Sequence, residues 1–245
     1  MKKKVSQQIK SPATLVIDIG GTAIKMIVLD SRALPLTQYI QVLTPRSSDI
    51  KSICSLILKV IQGFDILFDR VSVGFPGVVQ NGVIITAPNM HTAWVGVDLQ
   101  DTLKKIVHRP VRAINDADAL GFAKVSGEGV ELVITLGTGL GSALFLNGKL
   151  LPNLELGHHP FRDNKTYEQL LGKKALEQYG IAAWRKNLKA AILIWKQTFN
   201  CEKLYLGGGH SEKINFKLPA SVEVFDNNSS IVGGLKLWCN KKTNW

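Results

Sequence analysis

The chain is short of cysteine, of acidic side chains and of long apolar runs, and each shortage removes a class of protein. Its three cysteines, Cys54, Cys201 and Cys239, lie far apart, are odd in number and form no C-x-x-C pair. Neither a disulfide framework nor a cysteine zinc site is indicated, and a reducing compartment fits. After the basic start MKKKVSQQIK, Asp18 interrupts the next apolar run. Signal-peptide and membrane-spanning readings fail on that ground, so a cytoplasmic protein with no membrane partner is expected. No Pro-, Gly- or Ser-rich linker and no low-complexity segment occurs. Acids are outnumbered, 19 Asp+Glu against 30 Lys+Arg, for a net charge of +11. A polyanionic partner (nucleic acid, membrane surface, nucleotide or polyphosphate) and a scattered basic surface account for that balance equally well. The basic residues are thinly spread, with small clusters at Lys2–Lys4, Lys173–Lys174 and Lys241–Lys242. No dense block with interleaved aromatics appears, so nucleic acid is not the expected partner.

What is present is an ordinary globular composition and an internal repeat. The 245 residues are 45% hydrophobic and 20% charged, enough for one large domain or two small ones. Leu15–Asp30 (LVIDIGGTAIKMIVLD) and Glu131–Leu150 (ELVITLGTGLGSALFLNGKL) share one pattern: apolar β-type run, Gly/Thr turn, apolar run. Such a turn presents backbone N–H groups to an anion with no side chain in the way. Two of them suggest two packed lobes closing on a phosphate chain. Strands are expected at Leu15–Ile19, Ile24–Leu29, Leu36–Leu43, Val71–Phe75, Val111–Ile114 and Lys203–Leu206. Helices are expected from a Ser47 or Ser48 cap to Ile61, and over Asp98–Val107, Ala119–Val125, Thr166–Gln178, Ile181–Phe199 and Ile231–Trp238. Asn147-Gly148 reads as a hairpin turn. The stripe Ile181, Trp184, Leu188, Ile192, Trp195, Phe199 reads as core.

Spacing excludes two familiar phosphate motifs. Gly137-Thr138-Gly139-Leu140-Gly141 is G-x-G-x-G and leads into a strand, whereas a dinucleotide fingerprint needs G-x-G-x-x-G opening a helix. Gly20-Gly21-Thr22-Ala23-Ile24-Lys25 has the wrong spacing for a P-loop. Asn115-Asp116-Ala117-Asp118 stands where a strand ends and a helix starts, a place for chemistry but equally for an N-cap. Asp118 suits the cap better, which leaves Asp116 with less structural reason. Glu155 and His158, three apart around Gly157, can converge on vicinal hydroxyls. A metal reading of Glu155, His158 and His159 lacks a further spaced ligand set. Glu168 lies near a helix start, where the dipole also favours an acid.

Taken together these motifs resemble the ROK (repressor, open reading frame, kinase) sugar kinases. Asp18–Lys25 is similar to that family's first phosphate motif and Thr135–Gly141 to its second. Gly207-Gly208-Gly209 resembles the turn near adenosine or the distal phosphate. Gly74–Gly77, Ala87–Asn89, Asn115–Asp118 and Pro152–His158 resemble, in that order, motifs of the polyphosphate-dependent glucokinase branch. The resemblance implies an α/β, actin-like ATPase (RNase H-like) fold of two lobes with a central cleft. It implies an N-terminal lobe at residues 1–113, a C-terminal lobe at 114–228, and a helix near 229–240 packing back on the first lobe. It implies phosphoryl transfer to the 6-hydroxyl of glucose, with Asp116 as general base. Gly77, Asn89, Asn115, Asp116, Glu155, His158 and Glu168 would hold the sugar. Asp18, Gly20, Gly21, Thr22, Lys25, Thr135, Gly137, Thr138, Gly139, Gly207, Gly208 and Gly209 would bind the donor, ATP and/or polyphosphate. Mg²⁺ would be held by Asp18 through water. No zinc is expected, because the family's cysteine cluster after His158 is missing. His210-Ser211 replaces the usual hydrophobic residue after the triple glycine, and the stretch from Gly209 to Ile231 is short, which puts the adenosine contact in question. At family level a homodimer is suggested. The alternatives are a kinase for mannose, fructose or an N-acetylhexosamine, and a catalytically silent sugar sensor. Retention of Asp116 argues against the sensor, as does the lack of room for a DNA-binding module in the about dozen residues before the first strand.

Overall fold

Two hairpins with the same three-residue glycine turn organise the chain. The computed structural model describes residues 11–225 and 230–239. The basic clusters Lys2–Lys4 and Lys241–Lys242 lie outside the described residues. The chain divides into two compact units, Met1–Ala119 with Ile231–Trp245, and Leu120–Ser230. Among the described residues no helix is long and apolar enough to cross a membrane.

In the first unit, β1 (Thr14–Ile19) and β2 (Ala23–Leu29) pair antiparallel around Gly20–Thr22, and β3 (Ile40–Leu43) lies on the far side of β2. Helix α1 (Ile50–Gln62) leads to β4 (Arg70–Phe75). A short hairpin of β5 (Val79–Gln80) and β6 (Val83–Ile84) follows, then α2 (Leu99–Val107), β7 (Val111–Asn115) and α3 (Asp116–Lys124). The sheet order is β3-β2-β1-β4-β7, with β4 parallel to both β1 and β7. Strands β1 and β4 are near-continuous apolar runs because parallel strands covered on both faces have no solvent side. Ile17, Val73, Phe75, Ile53, Ile57, Trp94 and Leu103 belong to one core cluster.

Three expectations need correction here. The third strand covers only Ile40–Leu43, not Leu36–Leu43; Pro35 and Leu36 instead reach back to Leu29 and Val28. The α1 cap is Asp49, which accepts from Ser52 N at 2.9 Å, while Ser48 takes a left-handed φ of 42° in the turn before it. The α3 cap is Asn115, not Asp118: Asn115 Oδ1 accepts from Ala117 N (2.8 Å) and Asp118 N (3.1 Å), and Asp118 is buried inside the helix.

The C-terminal helix, Ser230–Lys236, belongs to the first unit from Ile231 onward. It approaches the sheet so closely that a Cβ on Gly234 would stand 2.8 Å from Val16 Cγ1 and 3.1 Å from Ser72 Cβ. Ser72 Oγ donates to Gly234 O (2.6 Å) and accepts from Trp238 Nε1 (2.8 Å). The Trp238 ring lies under two guanidiniums, Arg70 at 5.1 Å and Arg112 at 4.6 Å, and Arg112 also donates to Leu237 O.

The second unit repeats the plan. Its strands are β8 (Val130–Leu136), β9 (Leu140–Leu146), β10 (Lys149–Leu151), β11 (Pro160–Arg162) and β12 (Lys165–Thr166). Helices α4 (Tyr167–Leu171) and α5 (Lys173–Phe199) follow, then β13 (Lys203–Gly207) and β14 (Val222–Val224). The sheet order β10-β9-β8-β13-β14 matches that of the first unit position for position. Asn147 and Gly148 both take positive φ, as a type I′ hairpin turn between β9 and β10 requires. The helix expected over Thr166–Gln178 is broken at Gly172 (ψ 176°), and Gly180 (φ 77°) kinks α5. Trp184, Leu188, Ile192 and Trp195 of the expected stripe are buried against β8 and β13 residues, whereas Ile181 is 37% exposed. A buried carboxylate with no sequence signature, Glu131, accepts from Ser126 N, Ser126 Oγ, Gly127 N and Tyr205 OH at 2.7–3.0 Å. Burial opposes its charge, but these bonds outweigh it and hold Glu131 below its usual range. Burial, then Glu131, pushes Tyr205 up to about 12.

The clasp on the C-terminal helix yields a stability prediction. Trp238→Ala removes the ring, its hydrogen bond and both cation–π contacts, and should cost about 3 kcal/mol. Thermal unfolding followed by circular dichroism should show Tm falling by about 6–12 °C for a chain of this size. An unchanged Tm would mean that the clasp adds nothing.

Candidate active site

The first unit collects its site residues at the ends of three adjacent strands. The register sets Asp18 of β1 beside Gly74 of β4, and Gly74 beside Ile114 of β7, one residue before Asn115. A Cβ on Gly74 would lie 3.6 Å from Asp18 Oδ1 and 3.4 and 3.7 Å from Asp116 Cα and Cβ. Asp18 and Asp116 therefore flank one strand end that carries no side chain. Across β2, Lys25 is paired with Asp18, and its ammonium donates to Asp18 Oδ2 at 3.2 Å. Burial lowers the Lys25 pKa, but Asp18 first, then Tyr39 and Asp116, outweigh it and hold it above the usual value. Asp116 opens α3, where the helix dipole favours an anion, and its Oδ1 accepts from Ala117 N at 2.7 Å.

The neighbouring positions are braced. Asn115, 5% exposed, caps α3 with its oxygen and donates through Nδ2 to Gly77 O at 3.1 Å. Gly77 has no room for a side chain, since a Cβ would stand 2.1 Å from Thr86 O. The Gly20–Thr22 turn is closed by Gly20 N to Ala23 O (3.0 Å) and held by Thr44, the residue after β3. Thr44 Oγ1 donates to Gly20 O at 2.5 Å and Thr44 N to Thr22 O at 3.0 Å. Asn89 backs onto Gly21, with Asn89 O 3.1 Å from where a Cβ would be. Asp18, Gly20, Gly21, Thr22, Lys25, Asn89 and the Gly77, Asn115, Asp116 group thus share one end of the first sheet. Sequence reasoning missed Thr44, which had no motif around it, and the spacer role of Gly74.

The second unit builds a matching end. Gly137 N donates to Gly139 O (3.1 Å), and Thr135 Oγ1 accepts from Gly141 N (3.1 Å). Nothing lies within 4 Å of a Cβ on Gly137, whereas one on Gly139 would meet Glu168 Oε2 at 2.3 Å. Glu168 Oε2 also accepts from Leu140 N at 3.1 Å. Thr166 and Gln169 form the capping box of α4, so Glu168 braces the glycine turn instead of capping the helix. The 155–158 loop packs on the same strand: Leu156 N donates to Ser142 Oγ at 2.9 Å, and a Cβ on Gly157 would stand 2.3 Å from Leu140 O. His158 Nδ1 lies 3.2 Å from Glu155 Oε2. Burial, with a further push from Glu168, holds Glu155 above the usual carboxylate range despite the pull of His158. Glu155, His158, Glu168 and the Gly137–Gly139 turn form one patch.

The triple glycine is mostly a packing requirement. A Cβ on Gly207 would stand 2.4 Å from the Phe225 ring, and Gly208 (φ 89°) abuts the Leu136 backbone at 2.2 Å. Only Gly209 has open space. Burial, then Lys213 and Lys173, hold the His210 imidazole below its usual pKa, and Lys173 N donates to Thr138 O at 3.2 Å. These two lysines next to Thr138 and His210 were not among the expected site residues. Between β13 and β14 the described residues hold only a short turn, Ser211–Lys213, where the first unit has α2 between β4 and β7.

Among the described residues no group of three or more His, Cys, Asp or Glu is placed to hold a metal. Mg²⁺ needs fewer protein ligands because it keeps several waters. The Asp18 carboxylate, whose Oδ1 lies beside bare Gly74, is an oxygen donor of the kind such a hard cation takes, with the Lys25 ammonium on Oδ2 as its competitor.

Known proteins match this arrangement. The ROK family profile covers residues 14–179. The polyphosphate glucokinase of Mycobacterium leprae (strain TN) is 32% identical over 236 residues, 89% of this chain and 72% of that protein. The N-acetylmannosamine kinase of Vibrio cholerae serotype O1 is 30% identical over 142 residues, 56% of this chain and 49% of that protein. Among solved structures, the inorganic polyphosphate/ATP-glucomannokinase of Arthrobacter sp. strain KM superposes with TM-score 0.83 at 31% identity, covering 92% of this chain and 98% of that one. The chain belongs to the ROK family, and its fold is the actin-like ATPase fold of the ROK sugar kinases.

The Glu155 environment sets a pH prediction. A carboxyl whose folded-state pKa is raised contributes stability that is complete below the unfolded pKa and is lost as pH rises through the folded value. Glu155→Gln cannot ionise and escapes that loss. Its urea midpoint should exceed that of the native sequence at about pH 7–8, and the gap should close below about pH 4. A midpoint that falls at neutral pH would reverse the sign.

Proposed function

We propose that this ROK-family sugar kinase, a hexokinase-type phosphotransferase, moves a phosphoryl group from polyphosphate and/or ATP to the 6-hydroxyl of glucose. The observation that carries the reading is the Asp18–Gly74–Asp116 strand end with Lys25 beside it. Asp116 accepts the proton of the 6-hydroxyl as its oxygen bonds to phosphorus and the bond to the donor's leaving oxygen breaks. Asn115 holds Asp116 and Gly77 in place through its cap and its bond to Gly77 O, with Asn89 behind the adjoining turn. Glu155, His158 and Glu168 meet the ring hydroxyls: a carboxylate accepts from them, and imidazole does either. The Gly20–Thr22 and Gly137–Gly139 turns offer backbone N–H groups to donor phosphates, and nothing lies within 4 Å of a Cβ on Gly137. Gly209, Lys173 and Lys213 extend the donor side. Asp18 is the residue to hold Mg²⁺, which when bound neutralises charge on the transferring phosphates.

Polyphosphate as donor is supported by the names of two relatives and by the absence of an α-helix between β13 and β14 among the described residues. A cytoplasmic homodimer completes the reading. The N-acetylmannosamine kinase relative favours a second reading, in which another hexose is the acceptor.

Phosphoryl transfer assayed over a panel of hexoses, each with ATP and with polyphosphate in the presence of Mg²⁺, should give the highest kcat/KM for glucose. No turnover with any pair would overturn the kinase reading. Asp116→Asn should lower kcat by about 10²–10⁴-fold with glucose affinity retained, because an amide cannot take the proton. Full activity in that variant would remove Asp116 as the base.

A further inference from the structure

We propose that the Lys25 ammonium holds the cation position beside Asp18 when no metal is bound, and that metal binding displaces it onto the incoming phosphate donor. The inference rests on the kinase reading for the identity of the metal and the donor, but its geometry stands apart from it. Asp18 and Lys25 face each other across the β1–β2 pair at the mouth of the Gly20–Thr22 turn, with Nζ 3.2 Å from Oδ2. The Asp18 side chain is 24% and that of Lys25 32% exposed, so this is not a loose, solvated surface pair. Asp18 directs its other oxygen, Oδ1, to Gly74 and so to the side of Asp116.

Two carboxylates that meet across a bare glycine repel each other unless a cation lies with them. Lys25 is the cation the fold supplies: its ammonium donates to Asp18 Oδ2 at 3.2 Å. A hydrated dication at Asp18 takes over that neutralisation and raises the local positive potential, so the ammonium is no longer held. Its four-carbon stem lets it swing without backbone movement. The residues next to Asp18 are the Gly20–Thr22 turn, so the released charge enters the region that offers N–H groups to phosphate. The protein thereby keeps its carboxylates in place while empty and resists metal that arrives without a donor.

The test is metal binding without sugar or donor. Mn²⁺, which reports through loss of its free electron paramagnetic resonance signal, is titrated into the full chain. Lys25→Met should bind Mn²⁺ about fivefold more tightly than the native sequence, as expected when a partly buried like charge is removed. Lys25→Arg, which keeps the charge, should stay within about twofold of it. Adding Asp18→Asn to Lys25→Met should abolish the gain. Equal or weaker Mn²⁺ binding by a folded Lys25→Met protein overturns the proposal. A second measurement needs no variant of the site: after reductive methylation with a ¹³C label, the Lys25 methyl resonance should shift on adding Mg²⁺, and an unmoved resonance overturns the proposal. Failure of the kinase reading would appear instead in the hexose and donor panel, so the two can fail independently.

Discussion

The candidate site in the first unit depends on one close approach, that of Gly74 to its neighbours on β1 and β7. Parallel pairing fixes Asp18, Gly74 and Ile114 side by side, and the chain turns into α3 immediately beyond Asn115. A side chain at 74 would stand between the two carboxylates. With glycine there, Asp18 and Asp116 approach one space, Lys25 is drawn to them, and Asn115 locks the corner by capping α3 and tying Gly77. Buried parallel strands are a good base for such precision, because slipping the register by one residue would put core residues on the wrong face.

Both units use the same solution. Each has an antiparallel pair closed by a three-residue glycine turn, a third strand outside it, and two parallel strands on the other side. The turns differ in what braces them. Thr44 and Asn89 support Gly20–Thr22, whereas Glu168 supports Gly139 and Leu140. Charge at the second turn is thus coupled to Glu155 through Glu168, and Glu155 is held partly against ionisation. That is a strained electrostatic arrangement of the kind that binding sites keep at a cost in stability.

Much of the strand pattern was legible because it rests on local rules. Apolar runs broken by Gly and Thr announced β1–β2 and β8–β9, and Asn147-Gly148 announced the next hairpin. The misses have physical causes. Asp49 and Asn115, not the neighbouring Ser and Asp, became caps because only they sit in extended backbone with an oxygen aimed at the first turn. The helix expected over Thr166–Gln178 split because Gly172 leaves helical φ/ψ, whereas the kink at Gly180 falls in the expected gap before Ile181. Glu131 gave no signal at all, since its four donors come from residues 126, 127 and 205.

The sequence by itself determined which backbone turns carry glycine, which strands are apolar, and where carboxylates stand at strand ends. Those are matters of residue type and spacing along one chain. Only the tertiary structure decided which of these meet. Asp18, Gly74 and Asp116 are separated by 98 positions from first to last, and strand register alone brings them together. Likewise, that Gly207 and Gly208 serve packing against Phe225 and Leu136, while Gly137 and Gly209 stand open, follows from how close the neighbouring atoms come. A glycine in a sequence looks the same in both cases; the space beside it exists only once the sheet is built.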